Sequence, residues 1–99
     1  MNTTVASTHE VVNPSTEQVC ATVPSLSVEE TDAAIARAEA ALPAWRAVSP
    51  ADRGRLLRRF AEVVGAHNEE LAQLEVTGSG HTIGNARWEA GNVRDVLAY

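Results

Sequence analysis

The most informative absence in this sequence is lysine, because all eight basic residues are arginines. The chain therefore has no P-loop lysine, no Schiff-base lysine and no lysine general base. Its single cysteine, Cys20, excludes an internal disulfide bond. No stretch approaches the roughly 18 consecutive apolar residues of a membrane span. The N-terminus lacks the basic and apolar regions of a secretory signal, so we expect a cytoplasmic protein.

Large apolar side chains are also scarce. Of the 99 residues, 44% are hydrophobic, but 17 of these are alanines and only 22 are Val, Ile, Leu or Phe. Alanine buries little area, so we expect marginal stability for the isolated chain. The net charge of -5 disfavours nucleic acid and anionic membranes as partners.

Two short β-branched runs predict a small N-terminal β-hairpin. Val11–Val12 and Val19–Val23 flank residues 13–18, which open with Asn-Pro-Ser-Thr, a composition typical of turns. The second run alternates small apolar with polar residues, as half-buried strands do. We expect Pro24 to close the hairpin and residues 1–9 to be disordered.

Two helix starts follow the hairpin. Ser27 and Glu30 form an S-x-x-E capping box at the first helix. Pro43 disfavours helical geometry in the residue before it, so the helix is expected to end or tighten there. Ser49 is the predicted N-cap of the second helix, with Pro50 in its first position.

The third and fourth helices are predicted from about residue 68 to Gly78 and from about Gly84 to the last residue. One face of the fourth helix consists of Ala86, Ala90, Val93 and Leu97. Trp88 and Tyr99 lie on the opposite face. This pattern favours a helix covered on both sides, and it stops without a C-cap. We therefore expect the chain to be the first piece of a longer protein, whether truncated, split or excised.

Isolated chemical groups do not combine into a site in this sequence. Cys20 is the only thiol, but its predicted strand offers neither a helix N-terminus nor a histidine to stabilise a thiolate, which favours a structural role. His9, His67 and His81 have no ligand-spaced neighbours, so no metal site is predicted.

A glycine-rich segment and an arginine cluster are also weak candidates. The segment "GSGHTIG", residues 78–84, follows a helix rather than a strand, and its spacing is not that of a dinucleotide-binding loop. The arginines could bind an anion or form the solvated flank of a helix beside Asp52 and Glu62, and the acidic total favours the second interpretation. They are Arg53, Arg55, Arg58 and Arg59. We predict no catalytic, cofactor-binding or metal-binding residue in the chain.

Five motifs in order resemble the N-terminal region of the aldehyde dehydrogenase superfamily over about residues 10–99. They are the N-P-x-T turn in "VVNPSTEQ", the helix ending in "PAWR", the P-x-x-R-x-x-x-L helix in "PADRGRLL", the helix "ELAQLE", and "VLAY" in the last helix. Two departures occur, since Glu17 replaces a frequent glycine and His81-Thr82 replaces a frequent Lys-Pro. The first is expected to alter the turn and the second a surface loop.

The resemblance implies an α+β fragment, a β-hairpin with about four α-helices, that belongs to the cofactor-binding domain of an aldehyde dehydrogenase. The family oxidises aldehydes to carboxylic acids with NAD or NADP, through a cysteine nucleophile and a glutamate base. Those residues and the cofactor-binding residues lie beyond the part that resembles this chain, so none is assigned here. Some members bind a monovalent cation partly through an acid in the fourth helix. Glu89 is the nearest acid, and it is not assigned as a ligand.

Three functional hypotheses follow from this resemblance. The chain is an N-terminal segment that is inactive alone and binds no cofactor by itself. Alternatively, it is a stand-alone, non-enzymatic helical interaction module. In the third hypothesis it docks with a separately encoded remainder of the enzyme, or with its oligomer, and restores activity.

Overall fold

A computed structural model describes residues 7–99 as a two-stranded antiparallel sheet followed by four helices. The elements are β1 (Ser7–Asn13), β2 (Gln18–Ser25), α1 (Val28–Ala47), α2 (Pro50–Ala66), α3 (Asn68–Ser79) and α4 (Ile83–Ala98). The predicted hairpin and four helices are thus confirmed. Among the described residues, no helix is both long enough and apolar enough to cross a membrane.

The hairpin is longer than predicted at both ends. The expectation of disorder for residues 1–6 lies outside the described residues, but it is wrong for residues 7–9, which belong to β1. There His9 pairs with Val23, and Pro24 continues the ladder opposite Thr8 instead of ending it. Proline is tolerated because each strand of a two-stranded sheet has a free edge on which no N–H is needed.

The turn of the hairpin requires an unusual backbone conformation at Glu17. Its φ of 61° is the only positive value at a non-glycine residue within residues 7–99. The Glu17 N–H donates to the Asn13 carbonyl over 2.8 Å, while the Asn13 side chain accepts from the N–H of Ser15. A glutamate therefore occupies a left-handed position that glycine adopts at lower cost.

Both predicted caps are confirmed. The Ser27 side chain accepts from the N–H of Glu30, and the Glu30 carboxylate accepts from the N–H of Ser27. At α2 the Ser49 side chain accepts from the N–H of Asp52, and Pro50 is the first residue of the helix. The prediction for Pro43 is wrong, since α1 runs through it to Ala47. Proline removes only one helical hydrogen bond, and the surrounding alanines favour continuation of the helix.

The connection between α3 and α4 is shorter than the predicted loop. It spans only residues 80–82, because α3 continues to Ser79 and α4 begins at Ile83. Gly80 ends α3 in the left-handed conformation, with φ 78°, and its N–H donates to the Val76 carbonyl. A Cβ at Gly80 would lie 2.7 Å from Pro14 Cγ, so the hairpin turn packs directly on the end of α3.

The buried core consists of alanine. The buried hydrophobic residues within residues 7–99 are Ala61, Ala72, Ala86 and Ala90. They lie on α2, α3 and α4, which pack on one another with α4 in contact with both others. Of the predicted inner face of α4, the two alanines are buried, Leu97 is half-buried and Val93 is exposed. Small side chains let the helices approach closely, but they remove little apolar area from water.

The molecule is flat. Its principal extents are 48 × 48 × 14 Å, and its Cα radius of gyration is 17.8 Å, against about 13 Å for a compact domain of this length. Its accessible surface is 7,683 Å², whereas a compact monomer of this mass exposes about 5,400 Å². Domains normally bury their apolar faces between two layers, and the described residues form little more than one.

Candidate functional site: an uncovered apolar surface

Cys20 connects the hairpin to α3. The ladder is irregular here, because Val11 pairs with Ala21 and Val12 pairs with Val19, which leaves Cys20 as the extra residue of a bulge. The Cys20 thiol donates to the Val11 carbonyl at 3.4 Å and reaches the Thr77 carbonyl at 3.7 Å. These two contacts join the strands of the hairpin to each other and to the C-terminal part of α3. The geometry is thus consistent with a structural thiol.

The histidines lie apart from one another. His67 Nδ1 is 2.9 Å from a Glu70 oxygen, one turn along α3. His81 Nε2 is 3.1 Å from Glu89 Oε1, which connects the loop to α4. Glu89, which was not assigned as a cation ligand, thus has a histidine partner. No group of three potential metal ligands occurs within the described part of the chain.

The arginine cluster lies along α2, where Arg53 is half-buried and the other three arginines are exposed. Arg55 forms an ion pair with Asp52, and this pair together with the Ser49 hydroxyl lowers the pKa of Asp52. Arg58 lies over Gly54, 3.5 Å from the position of a Cβ there. These local contacts are those of a solvated helix flank.

A bidentate ion pair between α3 and α4 was not apparent from the sequence. Arg87 donates through Nε and Nη2 to the two carboxylate oxygens of Glu69, at 2.9 and 2.8 Å. Hydrogen bonds from Arg87, and then from Gln73, lower the pKa of Glu69 to about 2. The two partners are 18 residues apart, so helix periodicity alone does not reveal them. The pair orients α4 on α3.

The most extensive feature of the surface is apolar. Trp88 is 69% exposed and Tyr99 is fully exposed, in line with their predicted position on the outer face of α4. Apolar residues also recur at helical spacing along α2, where Val64 is half-buried and four are exposed: Leu56, Leu57, Phe60 and Val63. Isolated exposed apolar residues are common, but contiguous stripes mark surfaces that another polypeptide covers.

α1 is the least covered element. None of its residues is buried, and within residues 7–99 it makes no more than a marginal contact with the other elements. Val28 is 73% exposed and Ile35 is 62% exposed. Helices in proteins gain most of their stability from the packing of an apolar face, and that of α1 is largely uncovered within residues 7–99.

Comparison with known proteins identifies close counterparts. Residues 2–99 match the model of the aldehyde dehydrogenase family. Glutarate-semialdehyde dehydrogenase of Pseudomonas putida is 40% identical over 82 residues, which are 83% of this chain and 17% of that protein. 2-Aminomuconic semialdehyde dehydrogenase of Danio rerio is 43% identical over 75 residues, 76% of this chain and 15% of that protein.

Solved structures agree with the sequence matches. PnpE, crystallised with nicotinamide adenine dinucleotide, has 34% identity and a TM-score of 0.87, over 94% of this chain and 19% of that one. Glyceraldehyde-3-phosphate dehydrogenase GapN of Methanocaldococcus jannaschii, complexed with NADP, has 28% identity and a TM-score of 0.83, over 90% of this chain and 20% of that one. The chain thus spans about a fifth or less of the length of these proteins.

Proposed function

The chain belongs to the aldehyde dehydrogenase family, and from this premise we propose that it forms the N-terminal part of an NAD(P)-dependent aldehyde dehydrogenase. In this proposal it contributes packing surface, and the reaction, aldehyde to carboxylic acid, is carried out by polypeptide outside these 99 residues. The chain alone is inactive and binds no cofactor. It acts in the cytoplasm, as its single cysteine favours.

The observation that carries the proposal is the uncovered apolar surface. The exposed stripes of α1 and α2 and the aromatic side of α4 belong to one flat molecule whose surface exceeds that of a compact monomer by about 2,000 Å². The same backbone occurs, at TM-scores of 0.83 to 0.87, as about a fifth of much larger chains. The remaining four fifths of such a chain is the partner that this surface fits.

The chemistry of the described residues supports the assignment of catalysis elsewhere. Oxidation of an aldehyde by a thiol route needs an activated thiolate and a general base within reach of one reacting carbon. Cys20 lies between main-chain carbonyls, and its thiol contacts those of Val11 and Thr77. We therefore assign Cys20 to the docking of the hairpin on α3.

A chimera provides the direct test. Residues of this chain replace the matching 82-residue segment of the Pseudomonas putida glutarate-semialdehyde dehydrogenase, and the production of NADH or NADPH from glutarate semialdehyde is followed by absorbance. We expect the chimera to oxidise the aldehyde and the 99-residue chain to show no turnover. Turnover by the purified chain, or an inactive chimera beside an active parent, would contradict the proposal.

A stand-alone interaction module remains the competing function, and the shape of the molecule weighs against it. Such a module needs its own two-layer core, whereas the described residues bury only alanines. A cooperative thermal transition with shielded tryptophans in a monomeric sample would favour the module instead.

A further inference from the structure

The apolar side of α1 repeats every seven residues. It consists of Val28, Ile35 and Leu42 at one heptad position and of Ala38 and Trp45 at the position three residues later, which the polar Thr31 occupies in the first turn. This is the spacing of the seam between two helices of a coiled coil. Its large side chains are 38 to 73% exposed, so this seam is largely uncovered within residues 7–99.

The flank next to the seam carries an ordered set of charges. Asp32, Glu39 and Arg46 follow one another at seven-residue intervals, with the acids first and the arginine last. In an antiparallel helix pair this flank faces its own copy with the direction reversed, so Arg46 of each copy lies beside Asp32 of the other, and the two Glu39 residues meet at the centre. In a parallel pair the charged flank of one copy would face the opposite flank of the other copy, where Ala34 and Ala41 carry no charge.

The area available matches what a stable dimer needs. Each copy exposes about 2,000 Å² more than a compact monomer, so two copies hold a surplus of about 4,000 Å². Obligate homodimers bury about 2,000 to 5,000 Å² in total. Pairing along α1, which is about 30 Å long, would cover the share of this surplus that lies on α1, while exposed apolar residues of α2 and α4 hold the rest.

We propose that two copies of this chain associate through α1 as an antiparallel helix pair when no other polypeptide covers that helix. The apolar seam supplies the affinity, and the contacts between Arg46 and Asp32 of the other copy set the direction. This inference goes beyond the proposed function, because it concerns the chain by itself.

Sedimentation equilibrium of the full chain over a wide concentration range tests the dimer. We expect a species of twice the 10.5 kDa chain mass. Ile35→Asp places a carboxylate in the seam and should weaken association at least tenfold. Ala36→Asp is the matched control, since it adds the same charge to an exposed position outside the seam, and it should leave the dimer intact. Circular dichroism checks that both variants keep their helix content.

Charge inversion tests the direction. Arg46→Glu should weaken the dimer about three- to tenfold through lost attraction and new repulsion. The triple variant Asp32→Arg, Glu39→Arg, Arg46→Glu inverts the whole flank and should restore wild-type association. A wild-type chain that stays monomeric, an Ile35→Asp variant that still dimerises, or a triple variant without rescue would each overturn the proposal. The activity of the chimera is independent of all three results, so failure here is distinguishable from failure of the proposed function.

Discussion

Substitution of Gly80 by alanine should detach the hairpin from the end of α3. Gly80 has a φ of 78°, a conformation that costs an alanine about 1–2 kcal/mol. Reduced freedom of the unfolded chain offsets about 0.4–1 kcal/mol of this. The new Cβ would also lie 2.7 Å from Pro14 Cγ, and the proline ring cannot rotate away. The shifts that relieve such a close contact typically lower the free energy of unfolding by a further ~1–3 kcal/mol.

The expected loss in the free energy of unfolding is therefore about 2–3 kcal/mol, measured by urea unfolding followed by circular dichroism. Gly84→Ala is the matched control. No atom lies within 4 Å of a Cβ there, and the residue is helical, so alanine should stabilise by up to about 1 kcal/mol. The same chemical change is thus expected to have opposite signs at two glycines four residues apart.

Pro14→Ala separates the steric contribution from the conformational one. It removes Cγ and leaves only a Cβ, at 3.6 Å from the added methyl group, which is ordinary contact. Adding Pro14→Ala to Gly80→Ala should thus recover roughly 1–2 kcal/mol of the loss. An alanine at position 80 that leaves stability unchanged, or a double variant without recovery, would refute the packing of the hairpin turn on α3.

Three further variants test other contacts. The pKa of Glu69 is lowered to about 2 from 4.5, so its ion pair with Arg87 stabilises the chain above pH 4.5, and this stabilisation is lost as the pH falls towards 2. Glu69→Gln should therefore reduce the fall of the urea midpoint between pH 4.5 and pH 2. Glu70→Gln is the control and should leave that fall unchanged. Glu17→Gly should raise the free energy of unfolding by about 0.5–1 kcal/mol, because glycine adopts the left-handed turn position without steric cost, and an equal or lower urea midpoint would contradict this. Ala72→Leu should lower the free energy of unfolding by about 1–3 kcal/mol, and with it the thermal midpoint, because Ala72 is 0% exposed and its site has no room for a larger side chain. An unchanged midpoint would contradict the close approach of the helices.

Local signals in the sequence predicted the helices and strands, but they did not predict the contacts between distant residues. Ser27 with Glu30, and Ser49 with Pro50, act within one turn of their own helix, so they could be recognised directly. The prediction that α1 ends or tightens at Pro43 was wrong because the alanines around this proline favour the helix strongly enough to continue it.

Contacts between distant residues explain the remainder. The Cys20 thiol meets the carbonyl of a residue 57 positions away, and the bulge that exposes it depends on the register of the whole ladder. The inner face of α4 was predicted from periodicity, yet only its alanines are buried. How much of a helix face is covered depends on the size of the elements packed against it. The hydrophobic pattern of a single helix gives no information about that size.

Co-expression tests the central claim, that the apolar surface of this chain fits the rest of an aldehyde dehydrogenase. The affinity-tagged chain is produced together with the Pseudomonas putida glutarate-semialdehyde dehydrogenase from which the matching 82-residue segment has been removed. We expect a one-to-one complex, captured by the tag, that reduces NAD or NADP with glutarate semialdehyde, while each part alone is inactive. A truncated enzyme that is folded but is not captured, or that is equally active without the chain, would contradict it.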